Sequence, residues 1–226
     1  MCARMSLIKA DRIPGRFPAF RLARPVGARY NVAPTQDVLA LRADAGGEVA
    51  PMRWGLVPAW SEDAKGGGRL VNARAETIAT KPAFREAVRQ RRAVVFADGY
   101  YEWANAGGGK QPYHFTVDGG EVFAFAAIWD RWGRRDAELE TCAIATVPGN
   151  EASAFIDHDR MPAILADEAA IAQWLDGDLE RALATLVPFD PGRIRAVPVS
   201  AAMNRTSFED PRAIEPIVLA EPLRLF

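Results

Sequence analysis

Short β-rich runs separated by turn residues are the feature of this sequence that most limits its fold. Each run is bounded by Gly, Pro or Asp, as strands joined by tight turns are. The runs are DVLALRA, AVVFADGYYEW, QPYHFTV, EVFAFAAIWDRW, TCAIATV and IRAVPV. Helical patterns lie at 82–92, 167–175 and 178–186, so strands outnumber helices and do not alternate regularly with them. The sequence predicts an α+β fold, with one domain over 1–226 and a mostly antiparallel, barrel-like sheet flanked by helices.

The composition is that of an ordinary soluble globular protein. Of the 226 residues, 49% are hydrophobic and 25% are charged. The net charge of −1 does not by itself indicate a nucleic-acid partner. No apolar run approaches the ~18 residues that a membrane span needs. Two cysteines and two histidines provide neither a disulfide framework nor zinc-ligand spacing. We therefore expect a cytoplasmic monomer without a cofactor or a metal.

The N-terminal segment is locally basic, which raises the alternative of a targeting peptide. Residues 1–30 contain seven basic residues against one acid, Asp11, a makeup similar to that of a mitochondrial transit peptide. Pro14, Pro18 and Pro25 would break the long amphipathic helix that such peptides use. We therefore favour the reading in which this segment remains part of the protein.

Cys2 directly follows the initiator methionine. Removal of Met1 would leave an α-amine and a thiol on neighbouring carbons, and these groups can close onto an aldehyde to form a five-membered thiazolidine. The ordinary pKa is about 7.7 to 8.0 for an α-amine and about 8.5 for a thiol, so a fraction of each group is in its reactive, deprotonated form near neutral pH. The alternative for a residue at this position is a disordered terminus without function.

Five polar segments flanked by aromatic and turn residues follow one another along the chain. They are RYNVAPTQ (29–36), MRWGLVPAW (52–60), NARAE (72–76), ADGYYEW (97–103) and HDRMP (158–162). Together with the N-terminal Met-Cys, they resemble the motifs of the SOS response-associated peptidase (SRAP) family. The resemblance extends to about residue 217, where AVPVS and IEPI are similar to the family's closing segment. The chain departs from the family at Ala3, where Gly is common, and at Met5, where an aromatic residue is frequent.

The resemblance implies a reaction and a partner. Proteins of this family bind single-stranded DNA and trap abasic sites, with the N-terminal cysteine forming a thiazolidine with the ring-opened sugar. By resemblance, Cys2 is the nucleophile, and Asn72, Glu102 and His158 occupy the other active-site positions. The partner implied for this chain is single-stranded DNA with an abasic site.

Each of these side chains has a plausible chemical role and an ordinary alternative. Glu102 can protonate the sugar ring oxygen, or it can be an exposed glutamate at a strand end. His158 titrates near neutrality and can assist proton transfer, or it can be a loop or core histidine. The Asn72 amide can hold the aldehyde oxygen, or it can belong to a turn.

The predicted DNA contacts are made by arginine and tryptophan. The resemblance places Arg74 and Arg160 where the family contacts phosphates, with ion pairs to Glu76 or Asp159 as the alternative. The prediction also includes Arg4 as a DNA contact. Trp54 and Trp60 can stack on bases, whereas isolated tryptophans are more often buried in a core. Outside these motifs, His114 and Cys142 lie in strand patterns and are predicted to be structural.

Two other functions remain open on the sequence. Cys2 and His158, with Glu102 or Asn72, could form a cysteine peptidase that acts on its own N-terminus or on another protein. Met1 is the only residue ahead of Cys2, so self-processing is hardly needed in this chain. Alternatively, the arginines and tryptophans could bind single-stranded DNA without any reaction at Cys2.

Overall fold

The computed structural model describes residues 3–106, 109–133, 138–156 and 159–219. The strands are β1 Met5–Leu7, β2 Arg21–Leu22, β3 Arg29–Val32, β4 Asp37–Arg42, β5 Glu48–Trp54, β6 Asn72–Arg74, β7 Arg92–Ala97, β8 Gly99–Ala106, β9 Gly109–Val117, β10 Phe123–Trp132, β11 Leu139–Pro148, β12 Arg160–Pro162, β13 Ile164–Leu165 and β14 Ile194–Pro198. The α-helices are α1 Ile13–Arg16, α2 Ala75–Ile78, α3 Arg85–Gln90, α4 Glu151–Ala154, α5 Glu168–Asp176 and α6 Leu179–Ala184. Short 3-10 turns are Ala10–Arg12, Ala64–Arg69, Pro191–Arg193, Ala201–Asn204 and Pro211–Ala213.

Five strands close into a barrel. β11 pairs with β10, β10 with β7, β7 with β4 and β4 with β5, all antiparallel. The ring closes because β5 pairs in parallel with β11, where Thr141 lies opposite Arg53 and Cys142 lies opposite Trp54. The strands β6 and β12 pair with β11, while β13 pairs with β10 and β2 with β5. The predicted α+β class with a mostly antiparallel, barrel-like sheet is confirmed.

A second sheet packs on the barrel through a shared hydrophobic core. Its strand order is β14-β9-β8-β1-β3, with every pair antiparallel. The Tyr100 ring of this sheet stacks on Phe115 at 5.0 Å between centroids and meets the edge of Phe125 in the barrel at 6.0 Å. Met5, one of the two residues that depart from the family pattern, is buried in the same cluster. Burial of this apolar surface is the main force that holds the two sheets together.

The two predicted helices after residue 165 are present as α5 and α6. The carboxylate of Asp167 caps α5 by accepting a hydrogen bond from the Ala170 amide at 2.8 Å. Ile171 and Trp174 face the core, and the Trp174 ring N–H donates to the Ala93 carbonyl in β7 at 2.8 Å. Among the helices of the described ranges, none has the length and apolar character needed to cross a membrane.

The helix predicted over 82–92 is shorter in the structure. It is observed as α3, and Arg92 belongs instead to β7. The buried Arg92 guanidinium donates to the carbonyls of Leu175 at 3.1 Å and Gly177 at 2.5 Å, at the end of α5. This contact between distant parts of the chain overrides the helical spacing of the basic residues.

The run AVVFADGYYEW forms two strands in different sheets because Asp98 interrupts it. The Asp98 side chain turns toward β1, where one oxygen accepts the Ser6 hydroxyl at 2.8 Å. The other oxygen accepts the amides of Ile8 at 2.5 Å and Lys9 at 2.9 Å. His114 Nε2 lies 3.0 Å from the same Ser6 hydroxyl and is almost completely buried. The predicted structural role of His114 agrees with this position.

The burial of His114 predicts a specific pH dependence of stability. Burial lowers the pKa of His114 to about 4, whereas an unfolded histidine titrates at about 6.5. Between these values the unfolded chain binds more protons, so the His114 contribution, about 3 kcal/mol, is present above pH 6.5 and is lost as the pH falls toward 4. We expect the parent to lose more free energy of unfolding than His114→Gln across this range in urea titrations. Equal losses in the two proteins would contradict this assignment.

Candidate functional site

The second half of β11 brings together two of the predicted motifs. On one side, β6 runs parallel to it, with Asn72 opposite Ile144 and Arg74 opposite Thr146. On the other side, β12 runs antiparallel, with Arg160 opposite Pro148. Asn72 is half-buried and Arg74 is exposed. Residues from 72–74 and 160–162 therefore flank a single strand.

Arg160 is buried, and its guanidinium is held within the protein. It forms a two-pronged ion pair with Glu76, one contact of which measures 3.0 Å. It also donates to the carbonyl of Thr146, and to its hydroxyl at 3.2 Å. The hydrogen bonds from Arg160 lower the pKa of the half-exposed Glu76 carboxyl. The ion pair with Glu76, which was the alternative to a phosphate contact, is thus the arrangement found here.

Arg4, which is predicted to contact DNA, also has its side chain inside the protein. One guanidinium nitrogen donates to the Asn31 side chain at 2.8 Å and to the Met203 carbonyl at 2.9 Å. The guanidinium carbon lies 5.8 Å from the centre of the Trp103 ring. Desolvation lowers the pKa of Arg4. The side chain is therefore used to attach the start of the chain to its C-terminal part.

Glu102 is the buried acid of the site, with 1% of its surface exposed. It lies on β8, beside the start of the chain, because the adjacent Tyr101 amide donates to the Arg4 carbonyl at 3.0 Å. Across the ladder from Glu102 stands Tyr113. A carboxyl this deeply buried is uncommon and is the type of group that acid-base chemistry uses.

The Tyr113 ring, on the residue opposite Glu102 in the ladder, contacts the segment before β12. It meets Phe155 edge-on at 4.9 Å between centroids, and Phe155 directly follows α4. The segment returns to the barrel at Arg160. Cys2 and His158 lie outside the described residues. Phe155 thus packs against the sheet that bears Glu102, five positions before Arg160, which pairs with β11.

The two predicted stacking tryptophans have opposite environments. Trp54 is fully buried, and its ring N–H donates to the Val71 carbonyl at 2.9 Å, so its prediction as a base-stacking residue is wrong. Trp60 is 70% exposed. Its neighbour Ala59 is fixed by a hydrogen bond from its amide to Asp130 at 2.9 Å. An exposed ring on an anchored loop is a suitable stacking surface.

Two further anchors hold the loop around Trp60. The Val57 amide donates to the Thr141 hydroxyl at 2.8 Å, and the Trp132 ring N–H donates to the Ser61 carbonyl at 2.8 Å.

Within the described ranges, no three His, Cys, Asp or Glu side chains are grouped as a metal site would require.

Comparison with known proteins decides the family. Residues 1–206 match the family model described as SOS response associated peptidase (SRAP). The chain belongs to the SRAP family. Abasic site processing protein YoaM of Bacillus subtilis (strain 168) is 37% identical over 216 residues, which cover 90% of this chain and 93% of YoaM. Abasic site processing protein YedK of Escherichia coli (strain K12) is 34% identical, with 85% of this chain and 86% of YedK covered.

The fold of this SRAP protein is also found among solved structures. A crystal structure of a protein from Bacteroides thetaiotaomicron superposes with a TM-score of 0.85 and 28% identity. The match covers 96% of this chain and 100% of that chain.

Sequence reasoning missed several residues that build the site. Glu76 was considered only as an alternative partner of Arg160, and its place in the NARAE segment was the available signal. Asn31 had the same kind of signal, since it lies in the RYNVAPTQ segment. Thr146 and Asp130 gave none, because their roles depend on strands and loops that are distant in sequence.

The second cysteine of this SRAP protein is structural, as predicted. Cys142 is fully buried in β11, and burial raises the pKa of its thiol to about 12. A thiol in this state is a poor nucleophile at neutral pH.

The contacts of Arg160 predict a stability difference between two arginines of the site. Arg160→Lys should lower the free energy of unfolding by about 1–3 kcal/mol, because lysine cannot reproduce the forked contacts to Glu76 and Thr146. Arg74→Lys changes an exposed side chain and should stay within about 0.5 kcal/mol of the parent. Urea denaturation of the three proteins measures this difference. Equal stability of the two variants would contradict the structural role of Arg160.

Proposed function

We propose that this protein captures abasic sites in single-stranded DNA covalently through Cys2, after removal of Met1. Membership of the SRAP family supports the proposal, as do relatives that are named abasic site processing proteins. The observation that carries it is the pairing of the first strand with β8, next to a buried carboxyl at Glu102. The 1,2-aminothiol is the reagent suited to an aldehyde, and a ring-opened abasic sugar presents one.

The proposed reaction releases one water molecule. The α-amine of Cys2 adds to C1′ of the ring-opened sugar, and loss of water gives an imine. The thiol then adds its sulfur to the imine carbon, and its proton ends on the nitrogen, which closes the thiazolidine. No oxidant or other co-reactant is needed.

Glu102 is the proposed proton carrier for this reaction. The closed hemiacetal must gain a proton on its ring oxygen before the aldehyde forms, and a buried carboxyl can donate it. Such acid-base help is typically worth about 10² to 10⁴ in rate. His158 is proposed to assist the same transfers, and the Asn72 amide to bind the aldehyde oxygen.

Trp60 and Arg74 are the proposed contacts to intact DNA. Both are exposed; Trp60 lies in the connection between β5 and β6, and Arg74 is the last residue of β6. Arg74 supplies a planar cation for phosphate oxygens, and Trp60 supplies a face for a base. The ion pair between Glu76 and Arg160 is proposed to support this surface from within. A net charge of −1 makes such local contacts more important than general attraction to DNA.

The decisive experiment is intact-mass analysis with a single-stranded oligonucleotide that contains one abasic site. The expected species has the mass of the protein without Met1, plus the DNA, minus one water. Cys2→Ala and a form that retains Met1 should give none of it, whereas Cys142→Ala, which changes a buried thiol, should react as the parent does. Adduct formation by the Met1-retaining form would overturn the ring mechanism, and its absence from the parent would overturn covalent capture.

The proposed DNA surface gives a separate binding prediction. Trp60→Ala should weaken binding of undamaged single-stranded DNA by about 1–3 kcal/mol, the usual value of one base stacked on an aromatic ring. Arg74→Gln should lower the slope of log affinity against log salt concentration by about 1, the value of one phosphate contact. Arg181→Gln, which removes an exposed charge on α6, is the control. Fluorescence anisotropy at several salt concentrations measures all three, and unchanged binding by Trp60→Ala would remove that residue from the surface.

A further inference from the structure

Ser6, Asp98 and His114 form a buried polar cluster that the proposed chemistry does not use. Their exposed fractions are 0%, 4% and 5%. Each side chain comes from a different part of the second sheet: β1, the turn before β8, and β9. Buried polar groups are costly unless they are hydrogen-bonded, so such a cluster constrains the backbone that bears it.

Each hydrogen bond of this cluster can be assigned a donor and an acceptor. Asp98 accepts from the Ser6 hydroxyl at 2.8 Å as well as from the amides of Ile8 and Lys9. Ser6 has a single hydroxyl proton, and the carboxylate takes it. The 3.0 Å contact between Ser6 Oγ and His114 Nε2 must then be donated by the histidine. Neutral His114 is therefore protonated on Nε2, and burial, which lowers its pKa, agrees with the neutral form.

Gly99 provides the space that this cluster needs. A Cβ atom at position 99 would lie 2.1 Å from His114 Nε2 and 2.8 Å from Ser6 Oγ. Gly99 lies opposite Ser6 in the ladder. The His114 imidazole therefore passes over the Gly99 backbone to reach the Ser6 hydroxyl. The contacts of this cluster thus require that Ser6 lie opposite Gly99.

The pairing of β1 with β8 is short, and on its other edge β1 pairs with β3 at Met5 and Leu7. β1 has three residues, and its pairing with β8 comprises Met5 opposite Tyr100 and Ser6 opposite Gly99. A shift by one residue would turn the buried Met5 away from the core and Ser6 into it. A shift by two would put Arg4 or Ile8 opposite Gly99, where neither has a hydroxyl for Asp98 and His114.

We propose that Ser6, Asp98 and His114 are positioning residues that lock the register of β1 on β8 and so fix Arg4, two residues after Cys2 in the chain, beside the strand that bears Glu102. The effect of this register on the reaction of Cys2 rests on the proposed function. The register lock itself is a property of the fold. Correct placement of reacting groups matters because a misplacement of about 1 Å can lower a rate about 100-fold.

The first test concerns the proton and is independent of any reaction. Imidazole ¹⁵N chemical shifts of the parent protein at pH 7 should identify the Nε2–H tautomer of His114. Amide hydrogen exchange should show Ile8 and Lys9 protected in the parent and faster in Ser6→Ala. The Nδ1–H tautomer, or unchanged exchange in Ser6→Ala, would overturn the lock.

The second test measures the effect on Cys2 with a pair of His114 variants. His114→Leu removes the donor to Ser6, whereas His114→Gln keeps an N–H donor on a side chain of similar reach. We expect His114→Leu to form the adduct with abasic DNA about 10- to 100-fold more slowly, and His114→Gln to stay within about threefold of the parent. Both should react with glyoxylate, a small free aldehyde, as fast as the parent does, because that reaction needs only a free aminothiol and no placement of DNA.

A stability control separates positioning from general weakening. Ile171→Val removes one methylene from the buried face of α5, which packs on β7, β10 and β13. It should lower the unfolding midpoint without changing the adduct rate. Equal rates for His114→Leu and the parent would overturn the positioning role. A parent that forms no DNA adduct would instead overturn the proposed function, and the ¹⁵N and exchange measurements would still decide the lock.

Discussion

The pairing of β11 on both of its edges is the constraint on which the rest of this structure depends. Its first half closes the barrel by a parallel contact with β5, and the Gly55 amide continues this contact by donating to the Cys142 carbonyl at 2.8 Å. Its second half accepts β6 on one edge and β12 on the other. The strand that completes the barrel is therefore also the strand that brings Asn72, Arg74 and Arg160 together.

Buried charges in this protein are matched by specific partners, and this separates structural cations from those open to a ligand. Arg160 is held by Glu76 and Thr146, and Arg4 by Asn31 and the Met203 carbonyl. Removing one partner of such a group leaves an uncompensated buried charge, which is strongly unfavourable. Arg74, in contrast, is exposed. The same residue type thus stabilises the fold in two places and is exposed to solvent in a third.

The proposed function divides the chemistry between the chain end and the fold. An N-terminal aminothiol reacts with aldehydes by its own nature, so the fold need not create the nucleophile. The fold instead contributes a buried carboxyl at Glu102, an anchored loop with the exposed Trp60, and a fixed register for the first strand. Under the proposed function, these contributions favour a DNA aldehyde over other aldehydes, since they act on proton transfer and on placement.

The fold class, the family and the potential reagent could all be predicted from the sequence alone. Turn-bounded β-rich runs predicted the barrel-like α+β fold, and local motifs in a fixed order were sufficient for the family. The buried, structural character of Cys142 also followed from its apolar strand. These features depend on residues that are neighbours in the chain, so they can be read without a structure.

Only the tertiary structure decided which side chains of each motif face the interior. Trp54 and Trp60 belong to one segment, yet the first is buried and the second is exposed. The ion pair of Arg160 joins residues 84 positions apart. The break at Asp98 exists because β1, more than 90 positions earlier, supplies Ser6 to its carboxylate. Such contacts are set by strand pairing between distant segments, and no local pattern encodes which partner a polar side chain meets.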